Sequence, residues 1–306
     1  MKILFMGTPD FAVPSLEALV NAGHEVCGVF TQPDKPKNRG MKLQAPPVKE
    51  FALAHDIPVF QPETVKDGTA LNIIRELAPE LIAVAAYGRI LPVDILDYPA
   101  FGCINVHSSL LPKYRGSAPI HWAILNGEKE SGVTIMHMAK EMDAGDIIDQ
   151  AVTPIDPNET VEMLHDRLAQ MGAQLLVDVV DRIKAGTATR TPQDTSKVTF
   201  APMLSRELSP LDWNRTARQL HDQVRGLIPW PATTTDIIGG QPVKIFEVEE
   251  TDVSTDAVPG TIVAAGKQGI DVACGDGKLL RIKQLQAQGG KRMAAADYLR
   301  GHPINI

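Results

Sequence analysis

The sequence predicts an α/β chain of two domains: a parallel sheet covered by helices, then a small β-barrel or antiparallel sheet. Three observations predict it. Short apolar runs alternate with helical patterns through the first part, and a long amphipathic pattern ends that part at a glycine. Beyond Pro231 the runs become short, alternating and separated by Gly. The length, 306 residues, exceeds one typical domain and agrees with two.

The runs Ile3–Met6, Val26–Phe30, Leu81–Ala86, Cys103–Val106 and Val133–Met138 read as strands. Between the first two lies VPSLEALVNAG, where Leu16, Leu19 and Val20 share a helical face. Pro14 suits the first turn of that helix and Gly23 its exit. Repeated strand–helix–strand order argues for parallel strands. Over 159–185, Val161, Leu164, Leu168, Leu175, Val179 and Ile183 fall on one face, and Gly186 stops the helix. The stretch GTATRTPQDTSKVTFAPMLSREL is polar and aperiodic and reads as a linker. A short helix over Asn214 to Gly226 carries Ala217, Leu220 and Val224 at helical spacing. PVKIFEVEE, GTIVAAG, GIDVACGDG and KLLRIKQLQ then read as strands of a small barrel or antiparallel sheet. The expected division is 1–188 for the first domain, 189–207 for the linker and 208–306 for the second.

Composition bounds the function. Hydrophobic residues make up 44% and charged residues 22%, enough for a sizeable core. The net charge of −7 argues against nonspecific nucleic-acid binding while leaving room for a local basic patch. Cys27, Cys103 and Cys274 are far apart with no C-x-x-C spacing, which argues against a disulfide framework or a zinc site. Cys27 and Cys103 sit in apolar runs and read as small buried hydrophobes. The start, MKILFMGTPDF, lacks the pattern of a secretory leader, and no run is long enough to span a bilayer. The cytoplasm is the expected compartment; composition does not set the oligomeric state, for which a monomer without a metal is the expectation.

The stretch from Cys103 to Ile148 carries the chemistry. Asn105 and His107 stand two apart on a strand, hence on one face, near the carboxyl end where open α/β sheets place their sites. Asp143 follows the strand Val133–Met138 and can reach the same edge. An amide, an imidazole and a carboxylate suit acyl transfer to an amine. The amide and imidazole stabilise the oxyanion, and the carboxylate orients the imidazole and helps relay the proton. The substrate amine is then the nucleophile, so no Ser or Cys is needed. Each residue also has a plain structural role open to it: a satisfied strand histidine, an asparagine holding a turn, an aspartate capping a helix. Spacing alone does not decide between them.

The surrounding letters do. NVHSSLLPKYRGSAP followed by NGEKESGVTIMHMAKEMDAGDII closely resembles the folate-dependent formyltransferase family. MGTPDFAVPSLEAL, VFTQPDKPKNRGMKLQAPPVK, AYGRILP and GIDVACGDGKLLRIKQLQAQGGKRMAAADYLRG extend the resemblance over nearly the whole chain. The resemblance implies a Rossmann-like formyltransferase domain and a C-terminal OB-like β-barrel domain, with 10-formyltetrahydrofolate as co-substrate. It implies catalytic Asn105, His107 and Asp143, and folate contacts at Ser109, Leu110, Leu111 and Pro112. Tyr87, Arg89, Ile90 and Leu91 would help wall the pterin pocket. Ser108 stands where many relatives carry Gly, a mild departure that a tight turn tolerates.

Relatives sharing this domain formylate a purine precursor, an amino sugar nucleotide or methionine carried on initiator tRNA. The loop DKPKNRGMKLQAPP sets Lys35, Lys37, Arg39 and Lys42 against Asp34. A basic loop with Gly and Pro can follow a phosphate backbone, although most charged loops are simply solvated. The resemblance implies that this loop enters the acceptor end of tRNA, with Arg39 at the position most tied to recognition. Lys37 and Asn38 depart from the usual Ala-Gly there. A purine-precursor enzyme would end near Gly186. An OB-like second domain is a common RNA platform, but also a plain packing module that sugar-nucleotide relatives share, and its Lys278, Arg281, Lys283, Lys291 and Arg292 could line an RNA face or be ordinary surface charge. Trp213 and Trp230 read as packing at the domain junction. GTPDF lacks a G-x-G-x-x-G pattern, so a dinucleotide is poorly supported. By resemblance it borders the acceptor site, with Phe11 as a wall for a methionine side chain. Initiator methionyl-tRNA is thus the expected acceptor. An amino sugar nucleotide as acceptor, or a noncatalytic folate- or tRNA-binding module, remain the alternatives.

Overall fold

A computed structural model describes residues 1–37, 42–304 and 306. The chain divides into two compact units. The first comprises Met1–Pro119, Glu130–Pro154 and His165–Ala201, the second Ile120–Lys129, Ile155–Leu164 and Pro202–Ile306.

The first unit opens with β1 (Lys2–Gly7), α1 (Val13–Asn21) and β2 (Glu25–Phe30). A two-stranded hairpin of β3 (Lys35–Lys37) and β4 (Lys42–Gln44) follows. Next come α2 (Pro47–Ala54), β5 (Val59–Phe60), α3 (Thr69–Leu77), β6 (Leu81–Ala85), α4 (Val93–Leu96) and β7 (Cys103–His107). After α5 (Pro119–Leu125), which falls almost wholly in the second unit, β8 (Glu130–His137) and β9 (Ile147–Pro154) return to the first, and α6 (Val161–Lys184) belongs to it from His165 on. The sheet order is β5-β2-β1-β6-β7-β8-β9. The chain moves outward from β1 through β2 to β5, then returns to β6 on the other side. That reversal opens a crevice beyond the carboxyl ends of β1 and β6.

Alternation along the strands divides the core. Leu4, Met6, Ile82 and Val84 pack with Ala70, Leu71 and Ile74 of α3 and with Cys103 at the start of β7. Ile3 and Phe5, on the opposite face of β1, are equally excluded from water. Burial pushes the Cys103 thiol up to about 12, in keeping with a small core hydrophobe. Cys27 is only half-buried.

Strand positions follow the sequence pattern, but strand direction does not. The strands from β5 to β7 pair in parallel, while β8 pairs antiparallel with β7 and β9 antiparallel with β8. Apolar alternation is the same for either direction, and the connection from β8 to β9 is too short for a crossover helix. The long helix α6 begins at Val161, and within it Leu176 is fully buried where Leu175 is only half-buried.

Residues 189–201, expected as linker, lie with the first unit and are hydrogen-bonded to it. Thr191 exchanges both backbone hydrogen bonds with Ile147, at 2.8 and 2.9 Å, and Ala201 pairs likewise with Arg115 and Ser117. The polar, aperiodic stretch satisfies the backbone groups of neighbouring loops instead of running through solvent.

The second unit contains α7 (Ala217–Gly226), β10 (Thr233–Thr235), β11 (Val243–Ser254), β12 (Ile262–Gly266), β13 (Gly269–Ala273), β14 (Lys278–Gln286), β15 (Met293–Ala294) and α8 (Ala295–Gly301). All its strand pairs are antiparallel, in the order β10-β11-β14-β13-β12 with β15 beside β14. Thr216 and Gln219 form a capping box at the start of α7, which therefore begins at Ala217 rather than at the expected Asn214. Trp213 packs in this unit's core and donates its indole N–H to Thr235 Oγ1 at 3.0 Å, whereas Trp230 stays 49% exposed. Among the described residues, no helix is long and apolar enough to cross a membrane.

Candidate active site

Three strand ends converge at the crevice. The Tyr87 carbonyl, just past β6, accepts hydrogen bonds from Thr8 Oγ1 after β1 and from Gln32 Nε2 after β2, each at 3.1 Å. The loop after β6 faces alternately in and out. Tyr87 and Leu91 are buried, Arg89 is half-buried, and Ile90 is 62% exposed. The Tyr87 hydroxyl is buried without a hydrogen-bond partner, and burial pushes the phenol up against the opposing charge of Arg89.

On β7, Asn105 and His107 share a face, with Val106 turned to the other. Asn105 is half-buried, and no hydrogen bond of its amide to another described residue is present. His107 is buried at 6% exposure, and its Nε2 lies 2.9 Å from the Tyr114 carbonyl. That carbonyl can only accept, so Nε2 carries a proton and donates it. Nδ1 lies 3.8 Å from Asp143 Oδ2. Both ring nitrogens therefore face protein groups, and His107 can donate to a substrate oxyanion only after the Tyr114 contact yields. Asn105 has no such restraint.

The segment after β7 is a tightly bonded loop. Ser109, at 1% exposure, donates its hydroxyl to the Lys113 carbonyl at 2.7 Å. Thr134 lies opposite His107 in the β7–β8 register. Its Oγ1 donates to the Ser109 carbonyl at 2.7 Å and accepts from Leu111 N at 3.1 Å and Gln150 Nε2 at 2.8 Å. Gln150 Nε2 also reaches the Leu111 carbonyl at 2.9 Å. Of the four residues expected to touch folate, Ser109 and Leu111 are thus engaged inside the protein, while Leu110 and Pro112 keep partly open surfaces. Thr134 and Gln150 are supporting residues that sequence reasoning missed. A polar residue inside the apolar run GVTIMH was the only available signal.

Asp143 sits in the loop between β8 and β9 with a positive φ of 52°, a conformation uncommon for a residue with a side chain. Its Oδ2 accepts the Gly116 N–H at 2.8 Å, which aims the carboxylate toward His107. Two glycines make this possible. A Cβ on Gly145 would meet the His137 carbonyl oxygen at 1.8 Å, and one on Gly116 would meet the Ala201 carbonyl oxygen at 2.8 Å. Gln193 bonds the backbone of the same loop, donating from Nε2 to the Asp143 and Gly145 carbonyls. The structure thus gathers Asn105, His107 and Asp143 at one edge. The described residues contain no group of three or more His, Cys, Asp or Glu that could hold a metal ion.

The basic residues are less uniform. Lys35 is exposed on β3, and Lys37 stands opposite Lys42 in the hairpin register; Arg39 lies outside the described residues. Asp34, the acid at the base of the hairpin, is taken up by Lys49 Nζ at 2.8 Å and by Gln61, and both hydrogen bonds hold its carboxyl below the usual value. In the second unit, Arg281 is paired with Asp271 through two hydrogen bonds and Lys283 lies 3.3 Å from Glu249. Arg292 donates to Gln284 and covers the Phe246 ring, while Lys278 and Lys291 are exposed. Phe11 is buried and meets His165 edge-on at 5.4 Å.

The formyl transferase family model matches residues 1–180, and the model for the formyl transferase C-terminal domain matches residues 203–303. The methionyl-tRNA formyltransferase of Moorella thermoacetica is 51% identical over 304 residues, spanning 99% of this chain and 97% of that one. The enzyme of that name from Bacillus subtilis is 48% identical, spanning 98% and 94%. Among solved structures, WlaRD, a sugar 3N-formyl transferase crystallised with dTDP and 5-N-formyl-THF, superposes with a TM-score of 0.67. It is 20% identical over 92% of this chain and 97% of its own. HypX from Aquifex aeolicus in complex with tetrahydrofolic acid gives a TM-score of 0.64 at 18% identity, over 98% of this chain and 47% of that one. At those identities the two structures speak to the fold.

Proposed function

The chain belongs to the formyl transferase family, within its methionyl-tRNA formyltransferases, and from that membership we propose the reaction. The formyl group of 10-formyltetrahydrofolate passes to the α-amino group of methionine on initiator tRNA, the modification that prepares that tRNA for translation initiation. The amine lone pair attacks the formyl carbon and forms the new C–N bond. The carbonyl electrons move onto oxygen, where the Asn105 amide donates a hydrogen bond. His107, freed from Tyr114, supplies a second. The attacking nitrogen loses its proton through His107, beside which the Asp143 carboxylate stabilises positive charge. When the oxyanion collapses, the bond to N10 of the folate breaks and that nitrogen takes up a proton, releasing tetrahydrofolate.

The single observation that carries this reading is the meeting of Asn105, His107 and Asp143 at the end of β7, in a chain about half identical to its relatives over its whole length. The folate would lie against Leu110, Pro112 and the loop Tyr87–Leu91, with Ser109 and Leu111 setting the loop's shape. Lys35, Lys37, Arg39 and Lys42 would follow the acceptor end of the tRNA, and residues 208–306 would add a second RNA-binding surface. We place this activity in a cytoplasmic monomer.

The test is single-turnover formylation with 10-formyltetrahydrofolate, comparing methionyl initiator tRNA, methionyl elongator tRNA and an amino sugar nucleotide. The expected product forms on the initiator tRNA and is lost in Arg39→Ala at elevated salt. Product on the sugar alone would retain the chemistry and overturn the acceptor.

A further inference from the structure

Gln193 is fully engaged. Its Nε2 donates to the carbonyls of Asp143 and Gly145, each at 2.8 Å. Its Oε1 accepts from Arg115 Nε at 3.1 Å and Nη2 at 2.7 Å. Two donors and two acceptor sites are the whole capacity of a side-chain amide. The four bonds join the loop after β8 to the loop after β7, from a residue that belongs to neither.

The loop so held has few backbone ties of its own, the Ala144 N–H on the Glu141 carbonyl at 3.4 Å and the His137 N–H on the Asp146 carbonyl at 2.9 Å. It contains no helix or strand between β8 and β9. It carries Asp143 at φ 52° and a glycine at 145 that has no room for a Cβ. A non-glycine residue in that region persists where its surroundings over-determine it, and such residues cluster at active sites. A second tie between the two loops is the Gly116 N–H on Asp143 Oδ2, at 2.8 Å. It grips the carboxylate, whereas Gln193 grips the main chain behind it. Gln193 itself is anchored nearby, by the two backbone hydrogen bonds between Thr191 and Ile147 and by Thr199, whose Oγ1 accepts the Tyr114 N–H at 2.9 Å. Arg115 is 9% exposed, and the Gln193 amide takes up two of its N–H groups without adding a negative charge near Asp143.

We propose that Gln193 is a positioning residue for formyl transfer, fixing the backbone of the Asp143 loop against Arg115 so that the carboxylate stays aimed at His107. The inference rests on the role given above to Asp143. Gln193 acts through Asp143 and has no hydrogen bond to Asn105 or His107.

The experiment compares the full-length parent, Gln193→Leu, Asp143→Asn and the double variant in steady-state formylation of methionyl initiator tRNA. Ring ¹⁵N signals of His107 are recorded alongside. A displacement of about 1 Å at a reacting group can cost on the order of a hundredfold in rate. Gln193→Leu is therefore expected to lower kcat by about ten- to a hundredfold, with both KM values within about twofold. In the Asp143→Asn background the same change should cost less than about threefold, because the two residues act as one unit. The His107 signals should move in Gln193→Leu. Where Gln193→Leu does not fold, Gln193→Glu is read instead. It keeps the acceptors for Arg115 but sets an oxygen against both loop carbonyls, and the same losses are expected. An equal loss in both backgrounds with unmoved His107 signals would make Gln193 a plain structural tie and overturn the proposal, as would parental turnover in both Gln193 variants. Parental turnover in Asp143→Asn would instead remove the role of Asp143. The His107 signals would then still report whether Gln193 sets the loop.

Discussion

His107 has its two nitrogens assigned different work by their neighbours. The Tyr114 carbonyl at 2.9 Å fixes Nε2 as a donor, which leaves Nδ1 as the atom able to take up a proton, facing Asp143 Oδ2 at 3.8 Å. That distance is too long for a hydrogen bond and short enough for a strong charge interaction in a buried site. Catalytic contacts of this kind often tighten only when substrate is bound. Asp143→Asn keeps an oxygen for the Gly116 N–H and removes the charge. It should lower kcat by about 10²- to 10⁴-fold, the usual worth of a positioned acid–base group, while the thermal midpoint stays near the parent's. Near-normal turnover would rule out the charge as the working part. At this scale the sequence was partly legible. Their two-residue spacing sets Asn105 and His107 on one face, but the letters around them and around Asp143 are what single the three out, by resemblance. Thr134, Gln150 and Gln193 are not singled out, because each acts through hydrogen bonds to backbone groups distant in sequence, and no period or spacing encodes such a partner.

Among the elements, α7 shows where pattern reading stops. Ala217, Leu220 and Val224 repeat at helical spacing and are 0%, 0% and 1% exposed. The same period assigns Asp222 and Arg225 to the solvent side, yet they are 2% and 5% exposed. Asp222 accepts from Arg225 Nε at 2.7 Å and from Arg218 at 2.8 and 3.1 Å, and Arg225 also donates to the Asp156 and Glu159 carbonyls. Burial alone would push the Asp222 carboxyl up, but His221, whose Nδ1 lies 4.0 Å from Oδ1, and the two arginines together hold it below its usual value. Asp222→Asn leaves the Arg225 guanidinium buried without its counter-charge. Breaking a buried pair on one side typically costs about 3–5 kcal/mol, against about 0–1 kcal/mol for an exposed pair such as Arg218–Glu250. Urea unfolding of Asp222→Asn and Glu250→Gln should show that contrast, and equal, small losses would mean the buried cluster contributes nothing special.

A second element-scale effect lies in the turn between α1 and β2. The His24 side chain is 5% exposed, with Asp181 3.7 Å from its Nε2. Burial lowers its pKa, only partly countered by Asp181. The unfolded chain therefore binds the proton more readily, and stability rises with pH through that range. Stability should fall as pH drops below about 6.5, the ordinary histidine value. His137, lowered chiefly by burial and also by Arg190, adds in the same direction. Urea midpoints at several pH values should show His24→Gln losing part of this slope; an unchanged slope would assign it elsewhere.

For the whole molecule, the charge balance sets a problem that the two basic regions answer differently. With 30 basic and 37 acidic residues, the chain repels a polyanion on average. Binding an RNA therefore needs cations not already neutralised by protein. At the hairpin of the first unit, Asp34 is taken up by Lys49, so Lys35 keeps its charge for a partner. In the second unit, Arg281 and Lys283 are already paired with Asp271 and Glu249. Sequence counting treats all of these residues alike, because the pairing partners lie on neighbouring strands or in distant segments. The salt dependence of affinity separates them. Each phosphate contact by an unneutralised cation contributes about −0.7 to −0.9 to the slope of log K against log salt. Binding of methionyl initiator tRNA to the Lys35→Ala, Arg39→Ala double variant should thus lose about 1.4 to 1.8 from the parent's slope if each residue meets one phosphate. Arg281→Ala should leave the slope within error of the parent, because its guanidinium already faces a carboxylate. A parental slope in the hairpin variant, together with a shallower one in Arg281→Ala, would move the electrostatic footprint from the hairpin to the antiparallel sheet of the second unit.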